Sequence, residues 1–300
     1  MFKEKYGFIV TKPLQLLIAL SIIEQLNPLI EKQIIIVDSF VNSENVYTRI
    51  SKKKLNSTEF KYCKDHNEAY KFIRHARFDQ IFIDSDVGGR KFLTLIAHKI
   101  FNLNKIINLY EEGLATYLVN LDGYGRFFKL LKYFGIGTHF GESIFIDKIF
   151  LYQPNRYYKT FKNESPKLIE IKKKLSEFID VNLNLLFDVF GESHLDLSEK
   201  LGTSNSCSLY LTEWLVDLKL IRSLSSNGIL IVKFHPNIKE NINLEGVKCK
   251  LISGPIPAEI IIKFLAKSYK EIIIYHHGSS AENYINGDNI IFKRKKMLSF

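Results

Sequence analysis

Residues 229–240 read ILIVKFHPNIKE. Ile229 to Val232 form a run of high β-propensity, and the chain then turns polar at Lys233, His235 and Pro236. Proline fixes its own backbone torsion and donates no hydrogen bond, so the regular element stops there. A short apolar strand closed by a polar turn is the unit of a parallel α/β sheet, where ligands gather at the carboxyl ends of the strands. Two other stretches share this form: KIINLYEEG at 105–113 and EIIIYHHGSS at 271–280.

Working outward, β-rich runs at Tyr6–Val10, Gln33–Asp38, Gln80–Asp84, Lys105–Tyr110, Ile144–Leu151, Ile229–Phe234, Cys249–Ile252 and Glu271–Tyr275 alternate with segments of helical period. Leu14–Leu26 and Pro257–Ser268 are amphipathic stretches of that kind. The alternation predicts an α/β protein with parallel sheets. At about 150 residues per domain, the 300 residues suggest two domains. The polar, proline-containing stretch 152–178 marks the division. The expectation is an N-terminal Rossmann-like domain over 1–155 and a C-terminal one over 156–300, with 156–180 as linker and a cleft between two facing parallel sheets. Residues 182–225 read as mostly helical with a turn at Gly202–Ser206, although CSLYLTEWL can equally be a strand entering a helix.

Composition narrows the function classes. The apolar fraction of 46% permits sizeable cores, and no apolar run is long enough to span a bilayer. The N-terminus lacks the pattern of a cleaved signal, since Lys12 and Pro13 interrupt its apolar stretch, so the expectation is a cytoplasmic chain. Cys63, Cys207 and Cys249 are far apart and without C-x-x-C spacing, which argues against a disulfide framework or zinc site. The formal charge of +10, from 42 basic and 32 acidic residues, suits an anionic partner or a solvated basic surface. No zinc-finger, helix-turn-helix or RNA-recognition signature is legible, so nucleic acid is not the expected partner. The basic run at 293–296 reads as a solvated tail able to touch anionic membrane at the inner face of the cell.

Three polar clusters fall at strand ends. Glu111, Glu112 and Gly113 can present a carboxylate base in a cleft, or form a solvated turn. His235 can donate to a phosphate, or be a half-buried histidine satisfied by a carbonyl. In HHGSS, Gly278, Ser279 and Ser280 can hold an anion at a helix start, or simply cap that helix. Asp84 and Asp86 match the D-x-D that holds metal and nucleotide diphosphate elsewhere, a pattern that also arises in ordinary turns. Asp38, Ser39, His139 and His194 have no informative spacing.

In combination and order, Lys233–Pro236 (K-x-H-P), Glu111–Gly113 and Ser279–Ser280 resemble the motifs of bacterial sialyltransferases of the two-domain GT-B type. With VTKPLQLLIA near the N-terminus and DKIFLYQPNRY at 147–157, the chain looks most like glycosyltransferase family fifty-two, the lipooligosaccharide and capsule sialyltransferases. The resemblance implies an inverting, metal-independent transfer of sialic acid from CMP-sialic acid to an oligosaccharide acceptor, with no cofactor. Glu111 would be the general base. His235 would hydrogen-bond or protonate the phosphate of departing CMP, which Ser279 and Ser280 would also hold. Glu259 would bind the cytidine ribose, while Lys233, Pro236 and Gly278 complete the donor side. Glu112, Gly113 and Gln15 would lie on the acceptor side. The chain departs from the family in having Lys12 directly before Pro13, where a cysteine or threonine is usual, and Glu-Glu-Gly rather than an aspartate-led triplet. Two other readings stand beside it: a CDP-glycerol or CDP-ribitol transferase on the same scaffold, and a non-catalytic binder of anionic polymer. The oligomeric state is not fixed by the sequence, and a homodimer is compatible with it.

Overall fold

The structure is a computed structural model and describes residues 3–53, 55, 57–101, 105–118, 134–162, 166–191, 205–213, 215–226, 228–236, 238 and 244–296. His194 and the turn residues 202–204 lie outside this set. The chain divides into two compact units, one of residues 1–39 and 50–174, the other of 40–49 and 175–300.

The first unit is built on a seven-stranded sheet in the order β3-β2-β1-β4-β5-β6-β7. Its strands are β1 (Lys5–Val10), β2 (Glu31–Val37), β3 (Thr58–Cys63), β4 (Gln80–Ile83), β5 (Ile106–Tyr110), β6 (Lys148–Leu151) and β7 (Lys167–Glu170). Every neighbouring pair is parallel. Helices α1 (Pro13–Gln25), α2 (Ser43–Ser51), α3 (His66–His75), α4 (Gly89–Phe101) and α5 (Pro154–Phe161) connect them, with a 3-10 turn at Leu114–Tyr117. The β-branched runs IIIV of β2 and FIV of β1 are buried throughout, as strands covered on both faces must be. The core gathers Ile9, Ile35, Ile81, Ile107, Leu109 and Ile149 from five adjacent strands. Helix α1 is buried at Leu16–Ile23 on every side rather than presenting a polar face, so its amphipathic reading is corrected.

The second unit carries a five-stranded parallel sheet in the order β10-β9-β8-β11-β12. These are β8 (Ser206–Leu211), β9 (Leu230–Lys233), β10 (Lys250–Ile252), β11 (Glu271–His276) and β12 (Ile290–Arg294). They are joined with α6 (Leu175–Phe190), α7 (Leu218–Ser225), α8 (Ala258–Ser268) and the short α9 (Ala281–Tyr284). Tyr210, Ile221, Leu230, Val232 and Phe234 form a core of their own.

Several expectations change. Of CSLYLTEWL, the part CSLYL belongs to β8, and Trp214 lies outside the described residues. Residues 293–294, assigned to a solvated tail, end β12, which pairs with β11 along its length. The stretch 156–174, assigned to the linker or second domain, supplies α5 and β7 to the first unit, and the division falls after Lys174. Ile144 lies before β6 rather than inside it. Cys63, Cys207 and Cys249 are free thiols. Among the described residues no helix is long and apolar enough to cross a membrane.

Candidate functional site

Both sheets reverse their strand order once, between β1 and β4 in the first unit and between β8 and β11 in the second. Connections leave in opposite directions at such a point, so a crevice opens beyond the strands' carboxyl ends. All three motif clusters stand at these edges.

In the first unit, Glu111 follows β5 and is almost wholly buried. Its Oε2 accepts from the Tyr117 hydroxyl and from the Tyr152 backbone N–H, each at 2.7 Å. Its own N–H donates to the Phe150 carbonyl at 2.9 Å. The carboxylate is thus fixed from the 3-10 turn on one side and from the end of β6 on the other. Burial first, and then the Glu111 charge, push the Tyr117 hydroxyl far above the usual phenol range, which keeps it a donor. The Arg156 guanidinium lies 4.6 Å from the Tyr117 ring centroid, a cation–π contact that steadies the donor. Gly113, at φ +117° and ψ −149°, supplies a backbone conformation closed to other residues just after the acidic pair.

Glu112 does not share the role of Glu111: it forms an ion pair with Lys12. Gln15 is buried, and its side-chain oxygen accepts from both the Thr11 N–H and the Thr11 hydroxyl at 2.8 Å. That oxygen closes the β1–α1 turn.

The aspartates of the D-x-D pattern have separate internal partners. Asp84 lies 2.8 Å and 3.0 Å from Lys91 Nζ, with His66 Nε2 at 3.6 Å. Burial opposes its ionisation, but Lys91 and His66 prevail and hold its pKa down at about 2. Asp86 accepts the backbone N–H groups of Gly141 at 2.9 Å and Ser143 at 3.0 Å, and burial nevertheless pushes it up to about 6. No cluster of three His, Cys, Asp or Glu suited to a metal occurs among the described residues. His139 Nδ1 lies 3.2 Å from Glu142 and its ring stacks on Phe161 at 4.1 Å. Ser39 donates to the Thr11 carbonyl at 2.6 Å.

In the second unit, β9 ends at Lys233, whose buried ammonium donates to the carbonyls of Phe234 at 2.6 Å and Gly254 at 3.1 Å. The backbone N–H of half-buried His235 donates to the Thr212 hydroxyl at 2.9 Å, and the Thr212 N–H to the Lys233 carbonyl at 3.0 Å. Thr212 directly follows β8, so the strand between His235 and HHGSS ties their edges together. The histidines of that turn are structural supports. His276 Nδ1 accepts from the Ser279 N–H at 3.0 Å, which leaves the proton on Nε2. His277 Nδ1 lies 2.7 Å from the Lys296 carbonyl and must donate to it, so Nε2 accepts from the Tyr210 hydroxyl at 3.0 Å.

Ser279 Oγ accepts from the Ala281 N–H at 3.2 Å, and Ser280 Oγ donates to Glu259 at 3.4 Å. Glu259 occupies the first turn of α8 and is buried; burial raises its pKa to about 6, against the Ser280 bond and the charge of Lys233. The structure therefore brings Lys233, Glu259 and Ser280 into one electrostatic cluster, with Gly278 and Ser279 in the same turn and His235 and Pro236 on the next strand end but one. The supporting groups Thr212, Tyr210, Tyr117 and Tyr152 were missed in the sequence. Each comes from an element remote in sequence, or at a spacing that carries no motif, so only the residues' strand-end positions could have hinted at them.

Neither a family model nor a curated protein sequence matches the chain. Solved structures do. UDP-N-acetylglucosamine 2-epimerase from Rickettsia bellii is similar over 92% of this chain and 75% of that one, at a TM-score of 0.56 and 13% identity. A ugt transferase from Siraitia grosvenorii, in complex with UDP, is similar over 99% and 82%, at 0.54 and 10%. The wall teichoic acid polymerase TagF is similar over 92% and 66%, at 0.51 and 13%. At such identities the likeness is one of fold, and the chain has the GT-B-like architecture of two Rossmann-type parallel sheets.

Proposed function

We propose that the chain is an inverting, metal-independent sialyltransferase, moving sialic acid from CMP-sialic acid to a hydroxyl of a terminal sugar, galactose foremost, on a bacterial surface glycan. The observation that carries the reading is positional: Ser279–Ser280 follow β11, which borders an order reversal, and Glu111 and His235 follow β5 and β9, each one strand removed from a reversal, all at the carboxyl ends of parallel strands. The GT-B-like neighbours that act on or bind nucleotide sugars support transfer from a nucleotide donor in general.

In this mechanism Glu111 takes the proton of the acceptor hydroxyl as its oxygen bonds to the anomeric carbon of sialic acid. The bond from that carbon to the phosphate oxygen breaks, and its electron pair leaves on CMP. His235 donates to that oxygen, while Ser279 and Ser280 hydrogen-bond the remaining phosphate oxygens. Glu259 accepts from the ribose hydroxyls. A positioned acid or base of this kind is worth ~10²–10⁴-fold in rate.

The test is mass spectrometry of products formed from CMP-sialic acid with a panel of galactosides, with CDP-glycerol as the second donor. Sialylated product is expected, lost in Glu111→Ala and in His235→Ala proteins that remain folded by circular dichroism. Turnover of CDP-glycerol alone would move the assignment to the alcohol-phosphate transferases, a reading that the likeness to TagF keeps in view. Salt-sensitive polymer binding without turnover of either donor would assign a binding protein.

A further inference from the structure

The basic run at 293–296 divides between the two faces of the second sheet. Lys293 is in register with Tyr275, and the ammonium groups of Lys293 and Lys295 lie 5.8 Å and 5.2 Å from the centroid of that ring. Arg294 is in register with His276, and the His276 ring meets Phe292 edge-on at 5.7 Å. Side chains alternate along a strand, so Arg294 and Phe292 share the face of His276 while the two lysines share that of Tyr275. The Lys295 N–H donates to the His276 carbonyl at 2.8 Å, and His277 Nδ1 donates to the Lys296 carbonyl at 2.7 Å. These bonds fix the backbone beyond Arg294 against the HHGSS turn.

The Arg294 guanidinium stands over Gly278. A Cβ added to that glycine would lie 3.4 Å from Glu213 Oε1 and 3.8 Å from Arg294 Nη2, with no other heavy atom of the described residues within 4 Å apart from its chain neighbours. The missing side chain leaves a notch between a carboxylate that follows β8 and a guanidinium that ends β12, the strands on either side of β11. Glu213 is half-buried and Arg294 exposed, and neither side chain makes a hydrogen bond or ion pair among the described residues. The other basic groups around the turn are engaged. Lys233 donates to two carbonyls, and both ring nitrogens of His277 are bonded. Burial holds His276 below the usual histidine range, with Glu282 opposing and Arg294 and His277 adding to the effect.

We infer that Arg294 is a cation of the donor site and binds an oxyanion of the donor over Gly278. The inference rests on the proposed reading of the Ser279–Ser280 turn as the place of the donor phosphate. The two serine hydroxyls offer hydrogen bonds without charge, whereas a guanidinium adds a full positive charge and a planar pair of N–H donors that matches a phosphate or a carboxylate. A glycine at the floor of the notch lets such a group approach the backbone closely. The Glu213 charge draws the guanidinium over the notch without pairing with it. CMP-sialic acid carries two oxyanions of the required kind, its phosphate and its sugar carboxylate.

The experiment is titration calorimetry of the full chain with cytidine, CMP and CMP-sialic acid. Arg294→Gln should lose roughly tenfold to a hundredfold in affinity for the anionic ligands, the worth of a hydrogen bond to a charged group, and keep the parent's affinity for cytidine. Loss towards both CMP and CMP-sialic acid puts the phosphate on Arg294, and loss towards CMP-sialic acid alone puts the sugar carboxylate there. Lys293→Gln, on the opposite face of the sheet, should bind all three as the parent does. Circular dichroism checks that both variants are folded. The inference is overturned if Arg294→Gln binds CMP and CMP-sialic acid as the parent does, or if its cytidine affinity falls equally. It is also overturned if Lys293→Gln loses as much, since net charge alone would then account for the effect. Unchanged binding with lowered thermal stability would make Arg294 a structural partner of Glu213 instead. All of these outcomes leave the sialyltransferase reading standing, whereas a parent that binds none of the three ligands removes that reading and the inference with it.

Discussion

The buried acids of this protein differ in what burial does to them. Asp84 stays ionised because Lys91 and His66 stand against it, whereas burial of Glu259 outweighs its own backbone N–H, a serine hydroxyl at 3.4 Å and the charge of Lys233. Its pKa rises from 4.5 to about 6 on folding. Between those values the folded state keeps a proton that the unfolded chain has released, so stability falls as pH rises through the window and stays lower above it. A shift of that size corresponds to about 2 kcal/mol. Glu259→Gln retains an acceptor for Ser280 and removes the titration. The variant should therefore match the parent near pH 4.5 and exceed it by up to about 2 kcal/mol at neutral pH, as read from urea unfolding. Asp86 titrates over a similar range, so the variant flattens the parent's slope without abolishing it. Parallel pH profiles for parent and variant would show that Glu259 is not held as described. A residue that costs stability in this way at a strand-end cluster fits a binding role better than a supporting one.

At the scale of elements, the acidic motif depends on the turn that follows β5. Gly113→Ala forces an alanine to φ +117°, at a cost of roughly 1–3 kcal/mol. Relief of that strain moves Glu111 off its two donors, so the proposed transfer rate should fall much further than stability does. Urea unfolding and the transfer assay together check this, and a variant with unchanged rate would detach Glu111 from the chemistry. The strand that precedes the motif was legible in the sequence, as were seven of the other strands, because IINLY, IIIV and IIIY are short isoleucine-rich runs of high β-propensity of the kind that a parallel sheet requires. The strands that the sequence hid are β3, β7 and β12, all of them at sheet edges. TEFKYC, KLIE and IIFKR carry charges inside the strand, which discourage pairing with another chain and at the same time erase the apolar signature. Strand ends were legible for the same reason that central strands were, and with them Glu111, His235 and the serine pair. What surrounds those residues was not: the bond that the His235 N–H donates to Thr212 and the pair of Lys12 with Glu112 join positions 23 and 100 residues apart.

At the scale of the molecule, the two sheets repeat one topology. The order β3-β2-β1-β4-β5 of the first is that of β10-β9-β8-β11-β12 in the second, and β6 with β7 extends the first alone. That extension explains why the division was read too early: a four-residue edge strand set in a polar stretch looks like linker until it is seen to pair with β6. Residues 40–49, which group with the second unit although β2 and β3 flank them, could not be assigned from sequence order at all. Each unit has its own apolar core; Ile35 belongs to that of the first, and Ile231, on the central part of β9, is fully buried within the second. Two cores without a shared set of residues predict two cooperative units of opening. Ile35→Ala removes methylenes from the first core alone, at about 2–5 kcal/mol, and Ile231→Ala does the same in the second. Hydrogen–deuterium exchange read by peptide should show Ile35→Ala lowering protection in peptides of the first unit, β12 and α8 keeping the protection of the parent. Ile231→Ala should give the converse, with β2 and β5 unchanged. Equal loss of protection along the whole chain in both variants would instead make the protein one cooperative unit.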